Sequence, residues 1–484
     1  MYIRTNFNIS TTLNNPLYPL MQHFEVDLPL LQHLIQTALY KGGDYADLYF
    51  EQSDYGELSL RDGAVNQVAA HTDYGMGVRT CLGEQTGYAY TETTLPADMM
   101  RASQTAATIV SGDGTIAAIT PKYIDVPQRY PILVPLETYA LEAQMPWLQR
   151  LHDTICAADP RVNKVMARLA HSTNKILFFN SLGEFGWDIR PMITLSVSCV
   201  MEHKGRIENT TLSRSMRMGA EFLQPELVEE LAREAVARTS FLFEARQPKG
   251  GEMAVVMGSG GSGILLHEAI GHAFEADFNR KQTSIFSDKL HRQICRKGIN
   301  VIDDGTLSAS RGAVNMDDEG VPGQKTFMVQ DGVLHSYLHD RMSASWYKTE
   351  PTGNGRRESF RYMPIPRMRA TYMENGTASE ADLIAEVKKG VFVEHFSNGQ
   401  VQIGAGDFTF YVKSGYLIEN GKRTQPIKDL NIIGNGPQAL ADIEMVANNG
   451  RMDNSSWTCG KGQSCPVSCG MPSVLVRKLT VGGV

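Results

Sequence analysis

Apolar residues at Leu30, Leu31, Leu34, Ile35 and Ala38 recur at helical spacing behind Asp27 and Pro29 and stop at Gly42-Gly43, which predicts an N-capped amphipathic helix. The period then falls to two. Short alternating segments around Leu48–Phe50, Leu58–Leu60, Val65–Ala69, Gly77–Thr80 and Gly87–Tyr90, divided by Asp62-Gly63 and other glycine-bearing turns, predict an antiparallel meander. A second helix is expected after Thr94 and a third from near Leu136, interrupted at Pro146. Ile193, Leu195, Val197, Cys199 and Met201 alternate as a half-buried strand does. Together these elements predict an N-terminal α+β domain with an antiparallel sheet over residues 25–248. Residues 1–24 carry no such pattern and read as a flexible extension, with Met21 as an alternative start.

A periodic helix through Leu227, Val228, Leu231, Ala235 and Val236 opens at Pro225, and the segment Arg246–Glu252 reads as a boundary. The second domain, 249–484, opens on a buried strand at Met253–Met257. It continues as β-rich structure, with hairpin turns at Asp331-Gly332 and Asn420-Gly421. Two helices are expected in it, one capped by Ser379 and closed by Gly390, the other from Pro437 to about Ala447. The fold class is α+β in two domains, the second carrying the chemistry.

That chemistry is concentrated in Gly258–Phe278, GSGGSGILLHEAIGHAFEADF. His267, Glu268 and His272 form HExxxH, one residue longer than the HExxH zinc helix. At ~100° per residue, positions five apart on an α-helix diverge by roughly 140°, so one ion cannot take both imidazoles comfortably. A wider π-type turn would restore a common face. Gly271 fits a distorted or closely packed helix, because a mid-helix glycine costs about 1 kcal/mol relative to alanine. The flanking Ile264, Leu265, Leu266, Ala269, Ile270, Ala273 and Phe274 bury the segment, and buried ionisable groups need a strong partner such as a metal. Glu275, Asp277 and Cys459 are all candidates for a third ligand, and spacing does not choose among them. Gly258–Gly263 also satisfies GxGxxG after a strand, so a nucleotide-dependent enzyme using that loop is the alternative reading. A metal-stabilised, non-catalytic scaffold is a third.

Composition narrows the partners. With 46 Lys+Arg against 53 Asp+Glu, the net charge of -7 gives no reason to expect nucleic acid. The uncharged run Met253–Leu266 is too short for a membrane span and is broken by glycines, and the N-terminus has no apolar signal core. Seven scattered cysteines form no disulfide framework, so a reducing cytoplasm is expected.

The run HEAIGHAFEADFNR, together with DDEGVPGQ at 317–324, PTGNGRRES at 351–359 and the closing CGKGQS and LTVGGV, resembles the TldD branch of the TldD/PmbA metallopeptidase family, labelled modulators of DNA gyrase. The likeness is dense from about Met253 and continuous from about residue 28. It implies a zinc peptidase acting on unfolded or extended peptides, with Zn2+ on His267, His272 and Cys459 and with Glu268 activating the metal-bound water. It also implies a heterodimer with an inactive PmbA/TldE-type paralogue, or a homodimer when the chain is alone. An extended peptide could add to a sheet edge beside the metal. Gly260 and Gly261 would give it clearance, and Asn354, Arg356 and Arg357 would hold a carbonyl or terminal carboxylate. Those arginines could equally lie on a surface loop paired to Glu358.

Overall fold

The computed structural model describes residues 17–110, 112 and 119–483. Two compact units emerge. One draws on residues within Met1–Gln52, Tyr74–Asp125 and Lys175–Ile189; the other comprises Ser53–Asp73, Val126–Asn174 and Arg190–Val484. Several long strands pass from one unit into the other. The architecture is α+β, with helices set among several sheets.

In the smaller unit, Asp27 caps the helix Leu28–Leu39 by accepting from the Leu30 N–H at 2.9 Å, as its sequence predicts. Leu31, Leu34 and Ile35 are buried with Phe50, Val78 and Met99 of the helix Pro96–Ala107. Of the expected extension, residues 1–16 lie outside the described residues. Leu17–His23 is a helix whose Leu17 and Leu20 are buried in this core.

The short meander segments prove to be parts of longer strands. Tyr45–Arg61 and Ala64–Leu82 are joined at Asp62-Gly63, where both residues have positive φ, and Gln85–Thr91 follows. Residues 64–72 are mostly exposed on both faces, so no alternation marks that part of the strand.

The larger unit has two packed regions. In the first, the helices Leu141–Ala158 and Pro225–Glu244 bury Leu148, Ile155, Val228 and Leu231 against Val165, Leu195 and Leu212. Contrary to expectation the earlier helix starts at Leu141 and runs through Pro146. Burial of Leu148, Leu151 and Ile155 offsets the one hydrogen bond that proline forfeits.

The second region is a closed barrel. Lys422–Asn435, Asp407–Glu419, Lys389–Gln402, Gly251–Met257 and Val474–Gly483 pair in that order, and Val474–Gly483 pairs back to Lys422–Asn435 through Leu430↔Gly483 and Ile433↔Thr480. The hairpin at Asn420-Gly421 forms as expected, as does the Asp331-Gly332 turn. A separate six-stranded sheet contains Val301–Asp304, Ala370–Met373, Ser468–Met471 and Arg451–Asp453.

Two helix expectations are corrected here. Ser379 and Asp382 form the capping box, but that helix ends at Ala385, and Gly390 belongs to a barrel strand. The helix at Pro437 ends at Ala441, after which Ile443–Val446 pairs with Val474–Val476. In both places the apolar residues beyond the helix are claimed by sheet pairing. Among the described residues no helix is long and apolar enough to cross a membrane.

Candidate metal centre

The barrel strand Gly251–Met257 leads through the glycine loop into a four-residue α-helix, Gly263–Leu266, and then into a π-helical segment, His267–Gly271. The His272 N–H donates to the His267 carbonyl, the i+5 bond of a widened turn. The two imidazoles, which an α-helix would splay, lie side by side in an edge-on arrangement with ring centroids 5.1 Å apart. Gly271 is required by packing: a Cβ there would lie 2.2 Å from Met368 Sδ and 3.2 Å from the Leu266 carbonyl oxygen.

The third donor arrives from the other end of the chain. Cys459 lies on a hairpin of Thr458–Gly460 with Ser464–Pro466, and its Sγ is 3.3 Å from His272 Nε2. One donor atom from each of His267, His272 and Cys459 lies within 4.8 Å of the others, and all three residues are buried. The fully buried Arg367 holds this hairpin, donating to the Cys459 carbonyl at 2.6 Å and to the Gln463 carbonyl at 2.9 Å.

The donor set fits a metal ion on two grounds. Among the described residues neither ring nitrogen of the buried His267 has a hydrogen-bond partner, a state that costs about 1–3 kcal/mol unless something else satisfies it. Burial alone would raise the Cys459 thiol, yet the imidazoles of His267 and His272 bring it down to about 4, favouring the thiolate that binds metal.

Glu275 and Asp277, open as ligands on spacing alone, are used otherwise. Glu275 Oε2 lies 3.0 Å from His272 Nδ1, which directs that nitrogen's proton to the carboxylate and leaves Nε2 on the Cys459 side. Lys461 Nζ reaches Glu275 at 3.0 Å and Asp277 at 2.7 Å. Burial would raise the Glu275 carboxyl, but the charges of Lys461 and His272 outweigh it and hold it at about 2. Burial likewise lowers His272, and Glu275 with the Cys459 sulfur more than reverses this. Glu268 is the more open member of the motif, with its carboxylate 4.0 Å from His272 Nε2 and 20% exposed. Sequence reasoning missed Lys461 and Arg367. Lys461 stands two residues after Cys459 in CGKG, a lysine beside a candidate ligand; for Arg367 no local signal exists.

The residues expected to hold substrate divide. Gly260 and Gly261 line a cavity of about 670 Å³ with Arg214, Glu394, Arg451 and Trp457. Gly260 has φ +87° and donates its N–H to the Met471 carbonyl.

Asn354, Arg356 and Arg357 are not among the residues lining this cavity. All three are buried. Asn354 donates to Asp303 Oδ2 at 2.7 Å and to the Arg367 carbonyl at 3.0 Å. Arg356 donates to the Met368 and Pro466 carbonyls, and Arg357 to the Asp318 carbonyl. These hydrogen bonds brace the loops behind the centre.

The dinucleotide reading also lacks its context. The next strand after the glycine loop, Val301–Asp304, lies in a different sheet, and the intervening helix turns into the histidine motif. The strand that leads into the motif, Gly251–Met257, is paired on both sides and offers no edge itself.

Comparison with known proteins defines the class. Residues 250–483 match the PmbA/TldA metallopeptidase C-terminal domain, 134–240 the central domain and 46–110 domain 1 of the same group. The chain is 37% identical over 461 residues to a "Metalloprotease TldD homolog" of Haemophilus influenzae, covering 94% of this chain and 96% of that one. It thus belongs to a family of metallopeptidases. That family is PmbA/TldD.

A "Zinc metalloprotease TldD homolog" of Saccharolobus solfataricus is 35% identical over 238 residues, 49% of this chain and 53% of its own. The fold is shared with the crystal structure of TldE from Thermococcus kodakarensis, at a TM-score of 0.71 and 20% identity, covering 94% of this chain and 100% of that one.

Proposed function

We propose that the chain is a zinc-dependent peptidase that hydrolyses unfolded or extended peptides, with His267, His272 and Cys459 as the ligands and Glu268 as the general base. The observation that carries this reading is the convergence of three buried donors on a π-helical turn, within 4.8 Å of one another. Two imidazoles and one thiolate suit zinc and leave a position open for water or substrate, and a relative bears the name zinc metalloprotease. Zinc bound there would supply Lewis acidity to a scissile carbonyl and to water.

The protein's own groups do the rest. Glu268 takes the water's proton and returns it to the leaving amine. Glu275 fixes the tautomer and orientation of His272, Lys461 balances the buried carboxylate, and Arg367 holds the Cys459 hairpin in reach. The polar cavity lined by Gly260 and Gly261 would receive an extended chain with little demand on its sequence. Residues 249–484 would form the catalytic domain. The working form would be a heterodimer with a PmbA/TldE-type paralogue, or a homodimer without it, in the cytoplasm.

Zinc content and cleavage of an unfolded peptide, with and without the co-expressed paralogue, test the reading. One zinc per chain and chelator-sensitive cleavage are expected. Cleavage that survives complete metal removal would refute it.

A further inference from the structure

Cys459 is not the only thiol on its hairpin. Cys465 stands directly opposite it, in the register Thr458↔Pro466, Cys459↔Cys465 and Gly460↔Ser464. Directly opposed residues of an antiparallel pair share one face. The Trp457 carbonyl accepts from the Val467 N–H, and the Gln463 carbonyl from the Lys461 N–H. Hydrogen-bonded and non-hydrogen-bonded pairs alternate along such a ladder, so Cys459 and Cys465 form a hydrogen-bonded pair with Cα atoms about 5.5 Å apart. That separation is inside the range a disulfide spans, about 4.4–6.8 Å. Both residues are buried and both are free thiols. Arg367 pins the register, with Nη1 3.5 Å from Cys465 Sγ and Nη2 on the Cys459 carbonyl.

We infer that Cys465 is a resolving thiol for Cys459: a peroxide joins the two in a disulfide that withdraws Cys459 from the metal centre and releases the zinc, and reduction reverses it. This rests on Cys459 being a zinc ligand. The chemistry balances as follows. The Cys459 thiolate attacks hydrogen peroxide, the O–O bond breaks, one oxygen goes to sulfur as a sulfenic acid and the other leaves as hydroxide, which takes a proton from solvent and becomes water. The Cys465 sulfur then attacks the Cys459 sulfur; the S–S bond forms, the S–O bond breaks, and the departing hydroxide takes the Cys465 proton and leaves as a second water. Two thiols are oxidised and one peroxide is reduced to two waters. Cβ atoms of a hydrogen-bonded pair stand near the upper end of about 4.5–5.5 Å, whereas a disulfide needs about 3.5–4.5 Å. The closed form is therefore strained and readily reduced, which suits a reversible switch.

The test uses the full chain, zinc-loaded and fully reduced, treated with hydrogen peroxide. Three quantities are read: free thiols, the mass of the peptides carrying residues 459 and 465, and zinc released to a chromogenic chelator. Thiols should fall from seven to five, with a 459–465 linkage two hydrogen masses lighter and one zinc released per chain. Dithiothreitol with added zinc should restore all three.

Cys465→Ser should bind zinc when reduced, form no such linkage, and carry Cys459 on to sulfinic acid that dithiothreitol does not reverse. Cys469→Ser should behave as the natural protein. A zinc-loaded natural protein that forms no 459–465 disulfide, or oxidises Cys459 irreversibly as Cys465→Ser does, overturns the switch. A protein that forms the disulfide but holds no zinc when reduced overturns the ligand assignment instead.

Discussion

His272 Nδ1 lies 3.0 Å from Glu275 Oε2, and that carboxylate is fully buried. An acid in that position fixes which ring nitrogen faces the metal and raises its basicity, an effect worth about 10–100-fold in metal affinity at comparable centres. Glu275→Gln should therefore weaken zinc binding by about that factor with the fold intact. Competition against a calibrated chelator measures it; unchanged affinity would show that Glu275 serves folding alone.

Lys461 compensates Glu275 from 186 residues further along the chain. Removing one member of a buried pair costs about 3–5 kcal/mol, because the other charge is left uncompensated. Lys461→Met should destabilise strongly, and Lys461→Met with Glu275→Gln should cost less than the sum of the single changes. Urea unfolding of the three variants gives the coupling.

Gly271→Ala places a methyl group against Met368, which has no exposed surface to retreat into. Overpacking of this kind costs about 1–3 kcal/mol. A lower melting temperature is expected, partly recovered by Met368→Ala. Full tolerance of alanine would mean that the π-turn has room that the packing denies.

Asp318 gives a pH signature. Burial raises its carboxyl, but Arg190 and Arg357 outweigh burial and lower it from 3.8 to about 2. A carboxyl depressed in the folded state contributes stability above its unfolded value and loses it as pH falls through the folded one. The step from 3.8 to about 2, at about 1.4 kcal/mol per pH unit, makes this on the order of 2–3 kcal/mol. Stability should fall between pH 4 and pH 2, and Asp318→Asn should flatten that part of the profile in denaturant titrations.

The local parts of this arrangement were legible in the sequence. The five-residue step from His267 to His272 and the glycine before His272 pointed to a widened turn, because helical geometry alone forbids a common face at that spacing. Caps at Asp27 and Ser379 and the turns at Asp62-Gly63 and Asn420-Gly421 are likewise local chemistry. What stayed hidden depends on residues far apart. The barrel closes by pairing Leu430–Ile433 with residues 480–483, a register that no local pattern encodes. Arg356 and Arg357, in a glycine-rich loop, look solvent-facing until the carbonyls of Met368, Pro466 and Asp318 fold around them. Glu275 was equally plausible as a ligand until Lys461 and His272 took up its oxygen.

Glu268→Gln separates binding from chemistry. The change keeps shape and removes the base, so zinc content should stay at one per chain while cleavage of an unfolded peptide falls by about 100-fold or more, as for loss of general-base catalysis. Retained activity would remove Glu268 from its role.

X-ray absorption at the zinc edge examines the ligand set itself. The expected spectrum contains one sulfur at about 2.3 Å and two imidazole nitrogens at about 2.0 Å, with the sulfur shell lost in Cys459→Ala. A spectrum without sulfur, or with two sulfurs, would contradict a centre built from His267, His272 and Cys459.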